Sequence, residues 1–131
     1  MALMLDTSAY SAFMKGHAEV KLALQKADEI VLNPVILGEL RAGFRAGNRF
    51  RKNERELQIF SSSPRVRFID ITQETAERYA VIVHFLRKAG TPISTNDIWI
   101  AASAMEHGLR VVTTDLHYQK VPQIVVEHYS P

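Results

Sequence analysis

Short apolar runs alternate along this chain with longer stretches of helical periodicity, and that alternation predicts its architecture. Leu3 to Leu5 is closed by Asp6-Thr7-Ser8, which is N-cap chemistry for a helix carrying Tyr10, Phe13 and Met14 and stopped by Gly16. A second helical stretch carries Val20, Ala23, Leu24 and Ala27, and Ile30-Val31-Leu32 reads as the next strand. Asn33-Pro34, a cap followed by proline at the first helical position, opens a helix with Val35, Ile36, Leu37, Leu40 and Phe44 as its stripe, ending near Gly47. Residues 48–60 read as a mostly polar helix, and after the break at Ser61 to Pro64 the β-branched run Val66 to Ile71 reads as a strand. Thr72 caps a long helix ending at Gly90, with Ala76, Tyr79, Ala80, Val83 and Leu86 as its expected buried face. Thr91 to Asn96 reads as a loop and Asp97 to His107 as a helix stopped by Gly108. Leu109 to Val112 then forms a strand followed by Thr113-Thr114-Asp115, and Ile124 to Val126 a last short strand.

Strands that lack polar alternation are buried on both faces, which requires a parallel sheet covered by helices on each side. The expected fold is therefore α/β, a three-layer α/β/α arrangement with a mostly parallel central sheet of about five strands, in one domain spanning residues 1–131. The composition agrees: 131 residues, 47% hydrophobic and 23% charged, are ordinary for a globular chain. The absence of cysteine excludes a disulfide framework, a thiolate zinc site and a Cys nucleophile, and is compatible with a reducing cytoplasm. No apolar run approaches the ~18 residues of a membrane span, and Met1 to Asp6 lacks the basic region of a signal peptide. The net charge of +2 and pI near 9.0 point to no partner by themselves.

The placement of the charges is more informative. Ligands of an open parallel sheet bind beyond the carboxyl ends of its strands. Asp6 follows the first strand, Asp115 follows the fourth, Asp97 opens a helix, and Glu39 lies about one and a half turns into the helix after the second strand. Each has an ordinary explanation taken alone, as a helix cap, a turn residue or a surface carboxylate. Together they can meet at one edge of the sheet. Two carboxylates about 5 Å apart at an effective dielectric of about 20 repel by about 3 kcal/mol, so such a cluster needs a cation or a shared proton. Hard oxygen ligands without Cys or clustered His select Mg²⁺ or Mn²⁺, and such a site suits phosphodiester hydrolysis. The five histidines (His17, His84, His107, His117 and His128) are scattered without ligand spacing and read as surface residues.

A second feature is basic. From Arg41 to Arg55 six basic residues (Arg41, Arg45, Arg49, Arg51, Lys52 and Arg55) face one acid, Glu54, with Phe44 and Phe50 interleaved. Such a run is either a solvated helix face or a contact surface for a phosphate backbone, and Arg110 is a further candidate. Acid for a metal and base for a strand together suggest a nuclease.

Leu5-Asp6-Thr7-Ser8, Glu39-Leu40-x-x-Gly43, Thr95-Asn96-Asp97-Ile98-Trp99-Ile100-Ala101-Ala102 and Val112-Thr113-Thr114-Asp115 resemble the signature blocks of PIN-domain proteins, and among these the VapC toxins of prokaryotic toxin–antitoxin pairs. One block alone is a weak signature; four in order at these separations are a specific one. The resemblance implies a PIN-like fold and an Mg²⁺- or Mn²⁺-dependent endoribonuclease. It implies metal ligation by Asp6, Glu39, Asp97 and Asp115, with Thr7 and Thr114 as hydroxyl residues supporting them. It also implies an RNA substrate, a homodimer and a cognate VapB-like antitoxin whose tail inhibits the site, with Arg41, Arg45, Arg49, Arg51, Lys52, Arg55 and Arg110 as candidates for RNA or antitoxin contact. The chain departs from the commoner pattern at Ser8, often Asn, and at Tyr118, often Phe. Two alternatives compete: a non-catalytic nucleic-acid or partner-binding module of the same fold, and a phosphatase with Asp6 as nucleophile. The second lacks the further Asp its chemistry needs, because position 8 is Ser.

Overall fold

The central strand is the first one. In the computed structural model, which describes residues 1–131, β1 (Ala2–Leu5) lies in the middle of a five-stranded sheet. β2 (Glu29–Leu32) and β3 (Val66–Phe68) lie to one side, β4 (Arg110–Thr113) and β5 (Val126–His128) to the other. Every pairing is parallel, and Leu3 sits between Ile30 of β2 and Arg110 of β4. Leu3, Met4 and Leu5 are all buried, as are Val111 and Val112. Successive residues of a strand point to opposite faces, so consecutive burial means that helices cover both.

The helices are α1 (Thr7–Met14), α2 (Ala18–Lys26), α3 (Pro34–Ala46), α4 (Phe50–Ser61), α5 (Gln73–Ala89) and α6 (Thr95–His107). A 3-10 turn, Leu116–Lys120, follows β4. They pack largely in sequence pairs, α1 with α2, α3 with α4 and α5 with α6, and α3 also touches α1 and α6. The Asn33 cap joins two of these elements. Its Oδ1 accepts the Ile36 N–H at 2.9 Å to start α3, while its Nδ2 donates to Ser103 Oγ of α6 at 2.9 Å, all fully buried.

Several boundaries differ from the sequence pattern; α4 starts two residues later and β4 one residue later than expected. The run from Val66 to Ile71 pairs as a strand only to Phe68, with one further bond from Ile69 N–H to the Leu32 carbonyl; this is a sheet edge, where pairing on one side alone ends early. The last strand lies two residues later than expected, because Ile124 turns back onto Val121 and pairing with β4 resumes at Val126. α6 begins at Thr95, capped by Ser94, so the loop before it is shorter than expected. The buried face of α5 is also rotated. Thr75, Ile82 and Leu86 are buried, whereas Ala76 and Ala80 are exposed. Thr75 turns inward because its hydroxyl donates to Glu106 Oε1 of α6 at 2.5 Å, and Tyr79 stacks on Trp99 with ring centroids 4.1 Å apart. A polar residue held inside by a hydrogen bond carries no hydrophobic signal.

Candidate active site and metal centre

The chain adds strands in one direction from β1 to β3 and in the other from β4 to β5, so the order reverses between β1 and β4. A crevice forms at the carboxyl edge of a parallel sheet at such a switch point. Asp6 and Asp115 stand there, at the ends of β1 and β4.

Asp6 is 3% exposed and caps α1. Its Oδ1 accepts the Ala9 N–H at 2.8 Å and the Ser8 hydroxyl at 2.9 Å, and its Oδ2 accepts the Thr113 hydroxyl at 2.7 Å. Those bonds favour the charged form, yet burial outweighs them and, with Asp97 adding repulsion, pushes its carboxyl up to about 6. With both oxygens bonded and buried, Asp6 is poorly placed as a phosphatase nucleophile. The Thr113 hydroxyl also accepts the Asp115 N–H at 2.9 Å, tying the loop after β4 to the same carboxylate.

Asp97 is the third residue of α6, where the helix dipole favours an anion, and its N–H donates to the capping Ser94 hydroxyl at 3.2 Å. Burial raises its carboxyl first, and Asp115 and Glu39 raise it further, against hydrogen bonds from Ser94 and Tyr118. The Tyr118 hydroxyl donates to Asp97 Oδ1 at 3.1 Å. Tyr118 is fully buried, and its phenol is driven far above the ordinary tyrosine range by burial and by Asp6, Asp97 and Glu39, so it remains a donor. Glu39, half-buried on α3, accepts the Thr7 hydroxyl on Oε1 at 2.6 Å and the Asn96 amide on Oε2 at 3.1 Å.

Four carboxylates from distant parts of the chain thus act on one another, and none has an ion pair with Lys or Arg. Asp97, Asp115 and His117 each offer a ligand atom within 4.8 Å of the others. That donor set fits a divalent cation. Asp6 and Glu39 stand outside it, their oxygens held by hydroxyl and amide donors.

Among the expected supporting hydroxyls, Thr7 touches Glu39. Thr114 instead contributes its backbone N–H, to Ser8 Oγ at 3.1 Å, and the hydroxyl on Asp6 is that of its neighbour Thr113. The basic stretch divides. Arg41 is paired with Glu54 at 3.0 Å, and Arg45 lies 4.6 Å over the Phe50 ring. Arg51 and Arg55 are exposed on α4. Arg49 and Lys52, with Lys15, line a groove of about 440 Å³ between α1, α3 and α4 that Thr7 and Glu39 also line. Arg110 opens β4 at the other end of the strand from the site and is paired with Glu127 at 2.9 Å. His117, which reads as a surface residue in the sequence, and Thr113 and Asn96, which carry no role there, all reach the site. The one signal for them was position: each is a close neighbour of an acid already singled out.

A parallel sheet with this strand order, helices on both faces and acids gathered at the switch point defines a PIN-type fold. The chain belongs to the PIN domain family, whose model matches residues 3–124. Ribonuclease VapC4 of Mycobacterium tuberculosis is 34% identical over 92 residues, 70% of this chain and 71% of that protein. Ribonuclease VapC2 of Rickettsia felis is 25% identical over 135 residues, 99% of each. Among solved structures, DNA-bound VapBC from Salmonella typhimurium superposes with a TM-score of 0.84 at 26% identity, covering 98% of both chains.

Proposed function

We propose that this protein is a metal-dependent endoribonuclease acting as the toxin of a toxin–antitoxin pair, with residues 1–131 as its nuclease domain. The observation that carries the reading is the convergence of Asp6, Glu39, Asp97 and Asp115 at the sheet's switch point without a basic partner. The ribonuclease relatives that align with the chain support it.

Asp6, Asp97 and Asp115 would hold the cation, Mg²⁺ or Mn²⁺, and Asp6 also ties the ends of β1 and β4 together through the Thr113 hydroxyl. A divalent ion there would supply Lewis acidity toward a phosphoryl oxygen and a more acidic bound water. Glu39, held at both oxygens by Thr7 and Asn96, would bind a second ion or orient the attacking water. The hydrogen bond from Tyr118 favours the charged, ligating form of Asp97 against the burial that opposes it. Arg49 and Lys52 in the adjoining groove take the flanking phosphates of RNA or the acidic groups of an antitoxin tail. The VapBC assemblies among the structural relatives support a VapB-like antitoxin as partner, and the same reading includes a homodimer and a cytoplasmic setting. No helix is long and apolar enough to cross a membrane.

The purified protein is expected to cut RNA internally when Mg²⁺ or Mn²⁺ is added and to leave it intact in EDTA. Cleavage that persists undiminished in EDTA overturns the reading.

A further inference from the structure

We propose that the imidazole of His117 is a direct ligand of the cation held by Asp97 and Asp115, and that it gives the site a preference for Mn²⁺ over Mg²⁺. The inference rests on the metal-dependent reading above and adds a ligand to it.

The turn after β4 builds the arrangement. Asp115 caps it by accepting the His117 N–H on Oδ1 at 2.8 Å, and this folds the ring back toward the carboxylate it follows. His117 Nδ1 lies 3.2 Å from Asp115 Oδ1 and 3.8 Å from Asp97 Oδ2. Cis donors around an octahedral ion with bonds of about 2.1 Å stand about 3.0 Å apart. The nitrogen is therefore at nearly the spacing a shared ion requires. The next residue fixes the turn: Tyr118 is fully buried with its hydroxyl on Asp97, so position 117 cannot drift from the two acids. The ring itself is 56% exposed and free to adjust.

The chemistry of the donors sets the preference. Mg²⁺ takes oxygen ligands almost alone, whereas first-row transition ions bind imidazole nitrogen more readily, and Mn²⁺ is the one among them that also favours carboxylate oxygen. A site of two carboxylates and one imidazole favours the latter. An exposed histidine–carboxylate contact contributes little to folding, so His117→Ala leaves the fold intact.

The test is pulsed electron paramagnetic resonance on the full chain with stoichiometric Mn²⁺, alongside titrations of Mn²⁺ and Mg²⁺. The parent is expected to show ¹⁴N coupling to bound Mn²⁺, and His117→Ala to lose it. Mn²⁺ affinity is expected to fall about tenfold or more in that variant, while Mg²⁺ affinity stays near the parent value. Mn²⁺ bound without nitrogen coupling, coupling that survives in His117→Ala, or an equal loss for both metals overturns the assignment and leaves the acidic site standing. A parent that binds no Mn²⁺, or an Asp97→Asn variant that binds it as well as the parent, overturns the inference and the reading beneath it together.

Discussion

Asp6 serves two purposes that compete. As a cap it must accept the Ala9 N–H, which favours its charge; as a buried carboxylate facing Asp97 it is driven to hold a proton. Burial prevails, and its carboxyl titrates near 6 in the fold against 3.8 ordinarily. Without metal, the folded protein therefore takes up a proton that the unfolded chain does not, as pH falls from about 7 toward 4. Stability contributed by this group rises over that window and levels off below it, the full difference being about 3 kcal/mol. Asp97, raised by the same kind of burial, acts in the same direction. In EDTA the melting temperature of the parent is expected to climb from pH 7 to pH 5 more steeply than that of Asp6→Asn. Parallel slopes would show that Asp6 is not the group concerned. Asp6, Asp97 and Asp115 stand out in the sequence because each lies at a strand end or helix start, whereas Glu39, inside α3, stands out chiefly through the PIN-like block Glu39-Leu40-x-x-Gly43. The groups that hold them do not: nothing in a string separates the hydroxyl of Thr113 from that of Thr114, since which of two adjacent strand-end residues faces Asp6 depends on the register of β4 against β1.

At the scale of elements, the site depends on α3 and α6 keeping their places beside β1. Asn33 is the joint, capping α3 with one end of its amide and holding Ser103 of α6 with the other. Asn33→Ala removes a cap and leaves the buried Ser103 hydroxyl without its donor, at a cost of about 2–3 kcal/mol. Chemical denaturation is the measurement, and a loss below about 0.5 kcal/mol would contradict this role. Loosening the joint between α3 and α6 is expected to shift Glu39 relative to Asp97, so activity under folding conditions is expected to fall as well. The starts of α1, α3 and α5 are readable because their caps are local, Asp6, Asn33 and Thr72 each announcing the helix that follows. By contrast, α4 has no side-chain cap, and the Ser94 cap of α6 lies within a stretch that reads as loop. The inward face of α5 is not readable either, because Thr75 is turned in by Glu106, a residue 31 positions away.

For the whole molecule, the small net charge conceals a division. With the four site carboxylates set apart, ten acids remain against sixteen bases. Part of that excess is already committed, as Arg41 is to Glu54 and Arg110 to Glu127. Arg49 and Lys52 are the basic residues of the 41–55 stretch that line the groove reaching Glu39. Replacing both by Gln is expected to weaken RNA binding in EDTA and to lower the slope of log affinity against log salt by about 1.4, the value for two phosphate contacts on a single strand. Arg41→Gln is expected to change the slope far less, and an equal effect from both would argue against the groove as the RNA path.

The acidic centre is what the proposed activity depends on, and Asp97 tests it most directly. Asn at this position keeps an oxygen for the Tyr118 hydroxyl while removing the charge that a cation needs and that Asp115 and Glu39 oppose. In EDTA, Asp97→Asn is therefore expected to melt at or above the parent temperature. With Mn²⁺ or Mg²⁺ present, its RNA cleavage is expected to fall by about a thousandfold, the loss of a few kcal/mol of metal-assisted stabilisation. A folded Asp97→Asn protein that cuts RNA at the parental rate would contradict the central claim.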